Sequence, residues 1–255
     1  MKRIKLSKTG IKNLNKFDWL EYFEYNNANL LKLDFNNNNE LSSEELELIT
    51  PSIKAFQIGE GSDGKHLSKV VKKFANRTNY LKYEEIMKWF ILEENRHSQT
   101  LKKYMDIYNI KIVKSMWIDN IFRVLRKLMG LECEIIVLVT AEMIALSYYT
   151  ALSNATNSVL LKTICRQMLN DELKHVVLQS DTLHRISEHR NNMINNAIRK
   201  IRRILMRITC FVVWHKYKKL FIHGEYPYRR LKEDSLGYLE ESIYIEKTGN
   251  ILFNV

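Results

Sequence analysis

Two Glu-x-x-His motifs, Glu94–His97 and Glu172–His175, are the residues of this chain best suited to chemistry. A separation of three residues places both side chains of a motif on one helix face, one turn apart. A Glu-x-x-His from each of two helices, with a lone Glu from each of two others, is the arrangement that holds two iron or manganese ions inside a four-helix bundle. The motifs therefore predict two further glutamates, one before each of them.

Glu60 precedes the first motif and Glu142 precedes the second, each within an apolar stretch where an unpaired carboxylate would be costly to bury. The apolar residues around all four glutamates recur every three or four positions, which puts each acid on the apolar face of its helix. A bundle with surface glutamates and buried neutral histidines is the simpler alternative, but it leaves these positions unexplained. The predicted metal ligands are Glu60, Glu94, His97, Glu142, Glu172 and His175.

The same motifs resemble those of a known family. Glu93–His97, continuing as Leu101–Tyr104, resembles the second-helix motif of the soluble acyl-carrier-protein desaturases, and Asp171–His175 resembles their fourth-helix motif. The wider pattern is similar to that of the ferritin-like di-iron carboxylate superfamily, which includes bacterioferritins, rubrerythrins and aldehyde-deformylating oxygenases. The resemblance covers about residues 51–190 and implies an all-α fold, a ferritin-like four-helix bundle.

The resemblance implies a centre of two iron ions, with manganese or a mixed pair as alternatives. The implied roles are Glu94 and Glu172 as bridging ligands, Glu60 and Glu142 as terminal ligands, and His97 and His175 as one nitrogen ligand for each ion. Asp171 would then be the hydrogen-bond partner of a ligand histidine. Asp63, one turn from Glu60, is either a similar supporting acid or a residue at the core boundary.

The function implied is that of a non-haem di-iron oxidase or oxygenase in the cytoplasm. It would activate O2 to oxidise a hydrophobic substrate, such as an acyl chain or an aldehyde. A Gly-rich dinucleotide motif following a strand is not found, so the electrons would come from an external, ferredoxin-like donor. Two alternatives stay open. One is a ferroxidase, peroxidase or iron-storage protein of bacterioferritin or rubrerythrin type, and the other is a non-enzymatic helical module with a structural metal that binds an anionic partner.

Long helices are needed to position these ligands, and the composition favours them. Only two Pro and eight Gly occur in 255 residues, of which 45% are hydrophobic. Three segments are predicted: an N-terminal extension (1–50), the bundle (51–190), and a basic helix with a C-terminal tail (191–255). Within the bundle, helices are expected at about 51–78, 81–109, 131–156 and 157–189, with Thr50 and Pro51 starting the first and a long crossover between the second and third. The Gly-rich stretch 59–64 indicates either open space beside Glu60 or close helix packing.

The net charge of +11 is located in one segment. Residues 190–232 contain 12 Lys and Arg and one acid, and the remaining basic and acidic residues cancel. The segment predicts a helix over about 193–222 whose isoleucines dock on the bundle while its basic residues face an anionic partner. An acidic carrier protein, an anionic membrane surface and RNA are candidate partners, and a solvated charged face is the alternative. The predicted partner-binding residues are Arg199, Lys200, Arg202, Arg203, Arg207, Lys216, Lys218 and Lys219.

The cysteines and the apolar segments bear on location. Cys133, Cys165 and Cys210 are odd in number and fall within helical patterns, which is typical of reduced core residues in a cytoplasmic protein. A secretory signal and a run of about 18 apolar residues that could span a bilayer are both missing from the sequence pattern. We expect a soluble or peripheral cytoplasmic protein that forms a homodimer.

Overall fold

Helices form most of the residues that the computed structural model describes, which are residues 3–11, 13–36, 41–61, 64–113 and 130–251. Nine α-helices and two short 3-10 turns account for the regular structure of these residues, and they contain no strand. The all-α class is therefore confirmed. The helices are α1 (Trp19–Ala28), α2 (Ser43–Glu60), α3 (Lys65–Thr78), α4 (Lys82–Ile107), α5 (Leu131–Ala155), α6 (Val159–Ser187), α7 (Asn192–Lys216), α8 (Lys218–His223) and α9 (Tyr228–Thr248). Most of the predicted crossover, residues 114–129, lies outside the described residues.

The chain divides into two compact units, of which the first comprises residues 18–134 and 156–164. In this unit α1, α2 and α3 each pack on α4. A capping box starts α2: the Ser42 hydroxyl accepts the Glu45 N–H at 3.2 Å, and the Glu45 carboxylate accepts the Ser42 N–H at 3.3 Å. The other carboxylate oxygen of Glu45 accepts the Asn157 N–H at 2.7 Å, so the cap also anchors the start of α6.

The predicted single helix over 51–78 is wrong. The helix begins eight residues earlier, at Ser43, because the capping box satisfies its first N–H groups, and Pro51 lies inside α2. It then ends at Glu60, where Gly61 turns extended, and α3 starts after Gly64, whose φ is +61°. Glycine suits both sites, since a Cβ on Gly61 would lie 2.9 Å from Ser98 Oγ and one on Gly64 would lie 2.8 Å from the Ile91 side chain. Close packing is therefore the explanation that these two glycines support.

The second unit comprises residues 1–17, 135–155 and 165–255. It contains most of α5 and α6 together with α7, α8 and α9, and α7 packs along α9. The C-terminal region, predicted as a tail, contains the 21-residue helix α9. Gly249 ends α9 with a φ of +63° while its N–H donates to the Ile245 carbonyl at 2.8 Å. The N-terminal segment is attached to the same helix, because the Leu6 N–H donates to Glu241 Oε2 at 2.7 Å.

Helix α5 corrects the expectation that no segment is apolar enough to span a bilayer. It is long and apolar enough to cross a membrane by length and composition, and among the described residues it is the only such helix. The window that meets this criterion is 78% buried inside the protein. A core helix of a soluble protein meets the same criterion, so α5 is weak evidence for a membrane span.

Candidate metal centre

Packing of α2 against α4 supplies three of the predicted ligands. Glu60 is the last residue of α2, and Glu94 and His97 lie one turn apart on α4. His97 Nδ1 lies 3.7 Å from Glu94 Oε1 and 4.0 Å from Glu60 Oε2. Next to them, Ser98 Oγ donates to the Gln57 carbonyl at 2.8 Å, which ties the two helices together one turn from the ligands. Glu60 and His97 are buried, so this is a desolvated set of donors.

Helices α5 and α6 supply the other three. Glu142 lies on α5, and Glu172 and His175 lie one turn apart on α6, where all three side chains are buried. His175 Nδ1 lies 3.1 Å from Glu172 Oε2. Gln179, one turn after His175, donates from Nε2 to Glu142 Oε1 at 3.1 Å. The amide therefore holds the Glu142 carboxylate in place from the neighbouring helix.

The six residues form two groups that could hold a metal ion. Within each group, one ligand atom per residue lies within 4.8 Å of the others. The first group is Glu60, Glu94, His97 and Glu172, and the second is Glu94, Glu142, Glu172 and His175. Glu94 and Glu172 belong to both groups, while each remaining ligand belongs to one.

The donor set fits a hard divalent metal. Four carboxylates and two imidazoles offer oxygen and nitrogen ligands, which suit Fe(II) or Mn(II), whereas soft metals prefer thiolates. Among the described cysteines, Cys165 is on α6 with the second motif, but its burial raises the pKa of the thiol, so it stays neutral. A cluster of four carboxylates, of which Glu60, Glu142 and Glu172 are buried, is costly without a cation to compensate their charge. The residues present therefore fit the metal that the motifs predict.

The acids predicted to support the ligands have different surroundings. Asp171 is fully buried, and both of its carboxylate oxygens accept from Gln167 Nε2, at 2.9 and 2.8 Å. Asp63 lies outside the described residues. Glu93, which precedes the ligand Glu94, is buried and accepts from Asn26 of α1 and Arg96 of α4. Glu93 thus attaches α1 to the helix that carries Glu94.

Gln179, Asn26 and Gln167 were missed by the sequence reasoning. Gln179 had a detectable signal, because it follows Glu172 by seven residues and His175 by four, which places it on the same face of α6. Gln167 precedes Asp171 by four residues, so it too could have been found. The contact of Asn26 with Glu93 spans 67 positions, and helical spacing carries no information about such a pair.

The predicted partner-binding residues fall into two sets, those that pair with an acid of α9 and those that are exposed to solvent. Arg199 and Arg202 are buried and both contact Glu246 of α9; Arg199 Nε donates to Glu246 Oε1 at 2.9 Å. Arg202 also donates to Ser242 Oγ at 2.9 Å. Arg203 donates to both carboxylate oxygens of Glu240 at 2.7 Å. The exposed set is Lys200, Arg207, Lys216, Lys218 and Lys219.

The orientation predicted for α7 is wrong. Its isoleucines were expected to dock on the bundle, but Ile194, Ile201 and Ile208 are all more than half exposed, and the buried face carries Arg199 and Arg202. The inversion has a physical reason: Glu246 pairs with both guanidinium groups, which makes the polar face of α7 the one that packs on α9.

Comparisons of the chain with protein-family models, with curated proteins and with solved structures found no match. The ferritin-like family expected from the two motifs therefore stays a prediction, and the function is inferred from the residues of this chain.

Proposed function

We propose that this chain is a ferritin-like di-metal oxidoreductase that activates O2 and oxidises an apolar substrate. The observation that carries the proposal is the pair of buried ligand groups that have Glu94 and Glu172 in common. Two adjacent ions need two carboxylates that they share, and each ion also needs one carboxylate and one imidazole of its own. A single structural ion would need only one of the groups.

The proposed ligand roles follow from group membership. Glu94 and Glu172 would be shared by the two ions, Glu60 and His97 would complete the ligands of one, and Glu142 and His175 would complete those of the other. Two Fe(II) ions held by these residues would supply electrons for reducing O2, and a ferredoxin-like protein is the proposed donor that would replace those electrons. Manganese, or one ion of each kind, is compatible with the same oxygen and nitrogen donors.

The chain's own residues prepare the site for this reaction. Gln179 donates its amide hydrogen to Glu142, which favours the ionised carboxylate and orients it. Helices α4, α5 and α6 also contribute buried apolar side chains close in sequence to their ligands, which exclude water and favour an apolar substrate. These side chains are Phe90 and Leu101 on α4, Met143 and Leu146 on α5, and Met168 and Val176 on α6.

Metal content tests the centre directly. We expect about two iron or manganese ions per chain by elemental analysis of anaerobically purified protein. The double variant Glu94→Ala/Glu172→Ala should lose them, because it removes both shared carboxylates. Glu188→Ala is the matched control, since it removes an exposed acid from the turn that directly follows the helix of Glu172. Little metal in the parent protein, even after reconstitution with Fe(II), would refute the proposal.

Gln179→Leu tests the role of the supporting amide. The variant keeps a buried side chain of similar length but removes the donor to Glu142, so we expect metal affinity to fall about 10–100-fold. Titration with Fe(II) or Mn(II) measures the loss, and Gln179→Asn, with a shorter amide, should fall between parent and variant. Affinity that does not change in Gln179→Leu would contradict this role.

Oxygen consumption separates the proposed activity from its alternatives. Iron-loaded protein with a reductant should consume O2, and an acyl or aldehyde substrate should quicken the consumption. Oxidation of added Fe(II) without any effect of organic substrates, together with a cage-sized assembly on a sizing column, would favour iron storage. Metal-loaded protein that consumes no O2 with any reductant would leave only a structural metal.

A further inference from the structure

Helix α7 presents a row of large apolar side chains to solvent. Ile194, Ile201 and Ile208 recur every seven residues, and Ile204 and Phe211 follow Ile201 and Ile208 by three, so all five lie on one side of the helix. Each is 51–61% exposed, and Met193 beside them is 80% exposed. The opposite side of α7 carries the buried Arg199, Arg202 and Met206. We call the exposed side the α7 face.

Positive charge borders the α7 face. Lys200 and Arg207, both exposed, lie one behind the other along one edge of the row. Lys216 at the end of α7 and Lys218 and Lys219 at the start of α8 are also exposed, as is Ile222 of α8. Residues 191–224 contain no Asp or Glu.

We propose that the α7 face is a docking surface for an anionic lipid bilayer. Exposed apolar patches of this kind mark interaction sites, because single exposed apolar residues are normal on a soluble protein but a continuous row is not. An amphipathic helix with an apolar face and flanking Lys and Arg lies in the membrane interface, with its apolar side chains below the headgroups and its cations beside lipid phosphates. The α7 face has both parts.

Charge complementarity favours the bilayer over a second copy of the chain and over a nucleic acid. A second copy of the same face would bring Lys200 and Arg207 against an equally basic edge with no acid on α7 to pair with them. A nucleic acid would satisfy the cations but would leave the isoleucines without an apolar contact, since its phosphate contacts are polar. An anionic bilayer satisfies both, and α7, with 25 residues, offers a contact about 37 Å long.

The test measures sedimentation of the full chain with vesicles. Neutral vesicles of phosphatidylcholine are compared with vesicles containing an equal share of phosphatidylglycerol. Ile201→Gln/Ile208→Gln removes apolar contacts, and Lys200→Gln/Arg207→Gln removes charge, both at exposed positions where folding is not at risk. The matched controls are Leu81→Gln/Leu92→Gln and Lys72→Gln/Lys73→Gln, which change exposed apolar and basic residues of α3, α4 and the turn before α4.

We expect the parent and both controls to sediment with anionic vesicles, less so at high salt, and weakly with neutral ones. Each α7 variant should bind anionic vesicles at least about tenfold more weakly. Absence of binding by the parent, or equal losses in the controls, would overturn the proposal. A lipid-free dimer that dissociates in Ile201→Gln/Ile208→Gln would overturn it in favour of a second copy. Metal content should not differ among these proteins, so the outcome is independent of the proposed function.

Discussion

Replacing Glu246 by Gln should destabilise the folded chain strongly. Glu246 is buried on α9, and its two carboxylate oxygens contact Arg199 and Arg202 of α7, which are 6% and 1% exposed. Gln has nearly the same volume, so the substitution removes the negative charge and keeps the packing. Two buried guanidinium groups then lose the carboxylate that compensates them, and removal of one partner of a buried ion pair costs about 3–5 kcal/mol.

Glu240→Gln is the matched control on the same pair of helices. Glu240 bonds Arg203 with both oxygens at 2.7 Å, but its side chain is 53% exposed. The Arg203 hydrogen bond lowers the pKa of Glu240, so the ion pair forms. Water screens such an exposed pair, and its loss costs about 0–1 kcal/mol. The two variants make the same chemical change and differ in burial.

Urea unfolding followed by circular dichroism measures both variants. With a slope of about 3 kcal/mol per molar urea for a chain of this size, Glu246→Gln should lower the unfolding midpoint by about 1 M or more. Glu240→Gln should shift it by a few tenths at most. Equal shifts in the two variants would refute the reasoning, because they would mean that Arg199 and Arg202 do not depend on Glu246. The same arginines would then be available to a partner.

Two further variants test packing and burial. Gly224→Ala should cost about 1–3 kcal/mol of stability, because the added Cβ would lie 2.2 Å from the Ala151 carbonyl oxygen. Gly59→Ala is the control: its Cβ would have nothing within 4 Å, so it should stabilise the chain by about 0.5–1 kcal/mol. Equal effects of the two variants in urea unfolding would contradict this reasoning. Burial raises the pKa of Asp181 above its ordinary value, against the opposing ion pair with Arg185. The folded chain therefore holds the proton to higher pH than the unfolded chain, and stability falls as pH rises from the unfolded to the folded pKa. In Asp181→Asn this fall in stability with rising pH should be absent. Urea unfolding at a series of pH values measures it, and a curve parallel to that of the parent would contradict the assignment to Asp181.

The ligand residues of the candidate site could be chosen from the sequence because the choice depends on local spacing. A separation of three positions between Glu and His places both on one helix face, and apolar neighbours at helical intervals indicate that this face is buried. The structure brings together the six residues so chosen in two groups. The contacts that support the ligands could not be predicted in this way. Gln179 donates to Glu142 across 37 positions, and only the packing of α5 on α6 brings the two together.

The break between α2 and α3 shows where local signals mislead. Thr50 and Pro51 match a helix start, but the Ser42 capping box eight residues earlier satisfies the first turn and the helix continues through Pro51. For the Gly-rich stretch 59–64 the sequence left open space and close helix packing as two possible explanations. Its explanation needed the neighbours, Ser98 and Ile91, which leave no space for a Cβ at two of its glycines.

The sequence by itself determined that the chain is helical, which side chains share a helix face, and that the positive charge is concentrated in residues 190–232, because these follow from residue type and spacing along the chain. Only the tertiary structure decided which face of α7 is buried. Periodicity assigned the isoleucines to the core, but Glu246, 44 residues after Arg202, pairs with two arginines and makes their side of the helix the packed one. A long-range ion pair of this kind depends on which helices are neighbours, and that information is not contained in the period of any single helix.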